Sequence, residues 1–131
     1  MLLSEIQDAI FSRVTAESGL LPVITKHSGD GSYHANNQPY IVLSIVPLDS
    51  RERVYCDSVL RSGFILANVY APDGYGVSGP MKEAEKIVAL FPEQLQFEGI
   101  ETPDPANIKG ALKSEKPGWF YTSALIYFEA R

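Results

Sequence analysis

Cysteine is all but missing from this chain of 131 residues: Cys56 stands alone, so an internal disulfide is excluded. A core held without cross-links fits a reducing cytoplasm, with Cys56 expected as a buried or half-buried strand residue. Basic charge is also in short supply, with 11 Lys and Arg against 16 Asp and Glu and a net charge of −5. Proteins that grip nucleic acid by neutralising phosphates leave a basic footprint, so sequence-specific nucleic-acid binding is not expected. No apolar run approaches the roughly 20 residues a spanning helix needs. The opening MLLSEIQDAIF has no basic n-region and carries Glu5 and Asp8, so neither a signal peptide nor a membrane partner is expected. What remains is ordinary globular material, 45% apolar, read as a single domain over 1–131 that is large enough to bury a core unaided.

The stretch Gly63–Phe91 organises the rest. From Gly63 to Tyr70 the chain is apolar at both alternating sets of positions, Phe64 and Leu66 on one face and Ile65, Ala67 and Val69 on the other. A strand covered on one side only would be polar at every second position, so this one belongs in the middle of a sheet. Pro72, Asp73, Gly74 and Gly76 break it. Ser78 or Gly79 can cap a helix with Pro80 in its first turn. Met81, Ala84, Ile87, Val88 and Phe91 share one face of that helix and Pro92 stops it.

Ahead of this lies a first helix over Leu2–Ser18, with a seam of Leu3, Ile6, Ile10 and Val14 and with Arg13 outside it. A short strand is expected over Pro22–Lys26. The run HSGDGSYHANNQ from His27 to Gln38 is a polar loop, long for a compact domain. Pro39–Leu48 reads as a strand apolar on both faces, with Arg51–Asp57 its partner across an Asp49–Ser50 turn. After the second helix come a half-exposed strand from Leu95, a turn at Gly99, a further strand over Asn107–Leu112 and a long closing strand, Trp119–Ala130. The expected fold class is α+β: a mostly antiparallel sheet with two helices packed on one face. Two helices cover one face only, while the strands at Tyr40, Gly63 and Trp119 are apolar on both. Either the sheet curls closed or another subunit covers the second face. The Tyr-rich positions, Tyr121 and Tyr127 among them, favour an interface, where Tyr is enriched.

Candidate chemistry is thin. Gly74-Tyr75-Gly76-Val77-Ser78-Gly79 fits G-x-G-x-x-G after a strand, with Glu98 about twenty residues on. That is the basis for the alternative of a nucleotide-binding enzyme. Against it, Pro72 and Asp73 lengthen a connection that should be tight, the strand QLQFE is half polar, and no further strand–helix alternation follows. A flexible turn explains the glycines equally. His27, Asp30 and His34 lack the further convergent ligands a metal needs, and read as solvated loop residues. Cys56 has no signature of a nucleophile. No catalytic residue, cofactor or metal is expected, and the chain does not read as an enzyme.

The order of elements resembles a known family. A helix (SEIQDAIFSRV) leads to Asn37-Gln38-Pro39 and a strand. Then come GFILANVYAPDGYGVSGPMKEAEKIVALFP, with its P-x-G-x-G bend, and a terminal strand carrying Trp119 and Tyr127. This is similar to the small prophage proteins related to the tail terminators of long, flexible-tailed phages. The similarity is most specific over Gly63–Pro92 and looser before Pro39. It implies a ring, hexameric in the family, at the head-proximal end of the tail tube. The implied partners are copies of the chain itself, the tail-tube protein and the head–tail connector, and the implied location is the host cytoplasm and then the virion tail. A neck or head-completion protein of the same virion is the alternative within this class. The implied contact residues fall in the long loop (Lys26, His27, Asp30, Tyr33, His34, Asn36, Asn37), in the bend (Asp73, Tyr75) and on the last strand (Tyr121, Tyr127). The loop is expected to order on assembly.

Overall fold

The computed structural model describes residues 3–17, 19, 22–25, 38–48, 54–55, 58–59, 61–114 and 117–130. Helix α1 spans Leu3–Thr15, and α2 spans Ser78–Leu90. The strands are β1 Val23–Thr25, β2 Tyr40–Pro47, β3 Val54–Tyr55, β4 Ser58–Val59, β5 Arg61–Pro72, β6 Leu95–Phe97, β7 Ile100–Thr102, β8 Asn107–Lys113 and β9 Trp119–Ala130. Seven of them form one sheet in the order β1-β2-β5-β9-β7-β6, with β8 also on β9. All pairs in it are antiparallel except β1 with β2. The fold is thus the expected α+β sheet, with its helices on one face.

Strands β5 and β9 pair along their whole length, from Arg61↔Ala130 to Pro72↔Trp119. This places β5 in the interior of the sheet, as its doubly apolar sequence requires. The expected partner of β2 is corrected. Val54–Tyr55 pairs with Ser58–Val59 in a separate ribbon, and β2 pairs instead with β5, from Tyr40↔Tyr70 to Pro47↔Gly63. β5 offers β2 a long partner with two apolar faces, which the two-residue strands β3 and β4 cannot. At Gly63 the two strands come so close that a Cβ would lie 2.5 Å from the Val46 carbonyl oxygen and 3.1 Å from the Phe128 ring. Glycine is needed there for lack of space.

On the helix side, Ile41, Leu43, Ile65, Ala67, Val69, Ala124, Ile126 and Phe128 meet Ile6, Ile10 and Val14 of α1 and Ala84, Ile87 and Phe91 from α2 and its end. The expected α1 seam holds apart from Leu3, which is exposed. The N-cap of α2 is Val77, without a side-chain cap bond, and not Ser78 or Gly79. Gly74 and Gly76, at φ 89° and 94°, already turn the chain into the helix, so Ser78 and Gly79 fall inside its first turn. Past α2, the β6–β7 hairpin closes through Glu98 and Gly99, both at positive φ, in the two-residue turn that suits strand twist. Thr102 ties it back: its hydroxyl donates to the Pro92 carbonyl at 2.8 Å and its own carbonyl accepts from the Gln94 N–H at 2.7 Å.

Candidate interaction surfaces

The second face of the sheet carries the residues one position out of step with the core. Register sets Tyr40, Tyr70 and Tyr121 in one row, then Val42, Asn68 and Ser123, then Ser44, Leu66 and Leu125, then Val46, Phe64 and Tyr127. The tyrosine row is a stack: the rings of Tyr40 and Tyr70 lie 5.2 Å apart and 12° from parallel, and Tyr70 and Tyr121 are also 5.2 Å apart. Trp119 tilts against Tyr40 at 5.9 Å, and Phe64 meets Tyr127 edge-on at 5.7 Å. Burial, with Tyr70 nearby, pushes the Tyr40 hydroxyl up to about 12. Burial and the hydrogen bond it donates to Glu129 at 3.0 Å raise that of Tyr127. No described helix lies over this face, and Leu66, Tyr121, Leu125 and Tyr127 stay half-buried. The Asn68 side-chain oxygen is buried in the midst of it without a hydrogen-bond partner, an unmet acceptor of the kind native folds seldom keep.

Of the residues the sequence marks for contact, Tyr121 and Tyr127 lie on this face, near its opposite ends. Asp73 and Tyr75 sit together in the bend before α2, and Tyr75 is 52% exposed. The bend adjoins the tyrosine end of this face: the Asp73 N–H donates to the Gly118 carbonyl, beside Trp119, at 2.8 Å. Lys26, His27, Asp30, Tyr33, His34, Asn36 and Asn37 lie outside the described residues, as does Cys56. Of the two alternatives for covering the second face, closure of the sheet is not seen among the described residues, where the strand order ends at β1 and β6.

Two recesses flank the β6–β7 hairpin. One, of about 460 Å³, is lined by Glu98, Glu101 and Glu129 beside Phe97. The other, of about 490 Å³, lies between α1 and the hairpin, lined by Ser12, Arg13, Ala16, Glu17, Leu90, Phe97 and Glu98. Arg13 stands outside the buried seam of α1, as expected, but on the flank that meets the end of α2. It is half-buried, its Nε donates to the Leu90 carbonyl at 2.7 Å, and its guanidinium lies 4.9 Å from the Phe97 ring centre and 5.9 Å from that of Phe91. A cation at the C-terminal end of α2 meets the negative end of the helix dipole and stacks on aromatic faces. The flanking Phe91 and Phe97 were the available signal, but only tertiary packing brings them to α1.

The glycine motif is not a dinucleotide turn. Following the antiparallel pairs β5–β9, β9–β7 and β7–β6 across the sheet, β6 runs opposite to β5. The strand–helix–strand unit is thus not the parallel crossover to which the fingerprint belongs. Among the described residues no three His, Cys, Asp or Glu side chains converge to hold a metal. No described helix is long and apolar enough to cross a membrane.

What the described surfaces offer is contact area, consistent with a small structural or adaptor protein. No family model matches the chain, and no curated protein matches it. A solved structure, designated only by a sequence identifier, matches all of this chain and 96% of its own length, with a TM-score of 0.73 at 19% identity. At that identity the likeness establishes the fold, an α+β sheet with helices on one side.

Proposed function

We propose that the chain is a structural subunit that works beside copies of itself, as a tail-terminator-like ring. In this reading six copies close at the end of a tail tube, stop addition of the tube protein and present a surface to the head connector. The observation that carries it is the second face of the sheet, where Leu66, Leu125, Phe64 and Tyr127 form an apolar, aromatic band with no described helix over it. Contiguous apolar bands of this kind mark interaction sites on soluble proteins. A head-to-tail arrangement of identical subunits closes as a ring when its rotation divides the circle. The family resemblance supplies the virion setting and the number six.

The test is electron microscopy of the protein mixed with the tail-tube subunits of its own phage. Tubes of uniform length, each ending in a ring, are the expected outcome. Tubes that keep growing in the presence of excess protein overturn the terminator reading. Binding to the head connector without any effect on tubes favours the neck reading instead.

A further inference from the structure

The two ends of α2 are shaped differently. At its N-terminal end the bend 72–77 projects the two most exposed large apolar side chains among the described residues, Tyr75 at 52% and Val77 at 61%. The Tyr75 ring is steadied against Gly79, where an added Cβ would come within 3.0 Å of it. The bend has one charge, Asp73, and the exposed Lys82 stands one turn further along the helix. At the C-terminal end, 13 residues on or about 20 Å away, lies the groove between α1 and the hairpin. Its lining includes half-buried Phe97, Leu90 and Arg13, with exposed Glu17 and Glu98 as an acidic rim.

The contacts of Arg13 engage its Nε and the plane of its guanidinium. Its Nε is used on Leu90, its plane is fixed against Phe97, and among the described residues the guanidinium makes no other hydrogen bond or ion pair. The terminal N–H groups of a fixed guanidinium form a fork that fits a carboxylate. The acidic rim turns away a ligand with several negative charges. It accepts a single carboxylate accompanied by a cation, which is the pattern of Asp73 and Lys82.

We propose that the bend Asp73–Val77 of one copy docks into the Arg13 groove of the next. Asp73 meets the Arg13 fork, Tyr75 and Val77 lie on Phe97 and Leu90, and Lys82 faces the acidic rim. Because the two surfaces sit at opposite ends of one helix, the contact is heterologous and propagates from copy to copy until it closes. The inference rests on the reading that the chain assembles with itself, and names the contact.

The experiment is disulfide trapping in a Cys56→Ser background. Ser12→Cys lines the groove and Ser78→Cys adjoins the bend; both side chains are exposed and neither is one of the proposed contacts. Oxidation of the double variant is expected to give a ladder of linked copies that ends at the ring size, while each single variant gives none beyond a dimer. In parallel, Asp73→Arg is expected to weaken self-association, measured by sedimentation, by about tenfold or more, and Arg13→Glu in the same chain to restore most of it. The folded state of each variant is checked by circular dichroism. Association that persists with no ladder and with Asp73→Arg unaffected overturns this contact and leaves the ring reading standing. A chain that stays monomeric at high concentration and on tube ends overturns both.

Discussion

One sheet here has two faces made by the same three long strands, and they are finished differently: the second is buried at Tyr40, Ser123 and Trp119 and partly open beyond them. Ile65, Ala67, Ala124 and Ile126 point to the helices and are fully buried. Leu66, Asn68, Leu125 and Tyr127, each a single residue away, point to the other side and are half-buried or carry an unmet polar atom. Since side chains alternate along a strand, one-residue steps in sequence separate a closed core from a surface with interaction chemistry. Apolar content therefore reports how many surfaces want cover, while the helices decide which of them gets it inside one chain.

The comparison is broken most directly by paired truncations. Ile126→Ala on the helix side is expected to cost about 2–5 kcal/mol in denaturant unfolding, as a fully buried cavity-forming change. Leu125→Ala beside it is expected to cost about 1 kcal/mol, because less of its area leaves water on folding, and to act mainly on assembly. Equal costs would mean that the second face is as closed as the first. Gly63→Ala tests the narrow point where β2, β5 and Phe128 meet; a Cβ against the Val46 carbonyl should cost about 1–3 kcal/mol as overpacking. Asn68→Leu should go the other way and stabilise the chain by about 1 kcal/mol, since it removes a buried acceptor with no partner. A loss of assembly in that variant would show that the amide finds its partner across an interface.

The last test concerns alkaline pH. The Tyr40 hydroxyl holds its proton up to about 12 in the fold, against about 10 when unfolded. Between these values the native state binds the extra proton, so stability is intact below pH 10 and declines as pH rises toward 12. Phenolate absorbance should show Tyr40 titrating late, and Tyr40→Phe should flatten the decline.

The sequence made some of this legible and hid the rest, for physical reasons. Trp119–Ala130 could be read to the residue, because it is apolar on both faces and bounded by a Pro-Gly turn. The central strand runs longer than its apolar core, from Arg61 to Pro72, because pairing with β9 rather than side-chain hydrophobicity sets its ends. The partner of β2 was misread because a short polar turn at Asp49–Ser50 looks like a hairpin, whereas sheet order is decided by which face matches which. Of the candidate contacts, exposed Tyr75 and Asp73 follow from turn chemistry alone. Arg13 could not be found that way, since its value comes from three elements distant in the chain meeting around one guanidinium.

The far edge of β9 is divided. Strand β8 pairs with it from Phe120 to Leu125, and β7 only at Glu129 and Ala130, so among the described residues Ile126–Phe128 has no strand beside it on that side. Pro103 and Pro105 lie in the link between the two and keep it from zipping into the gap. The molecule thus carries two flaps hung from one rod. The hairpin flap walls the Arg13 groove and is pinned by Thr102 to the end of α2, whereas the β8 flap packs under α2 with Gly110 against Met81.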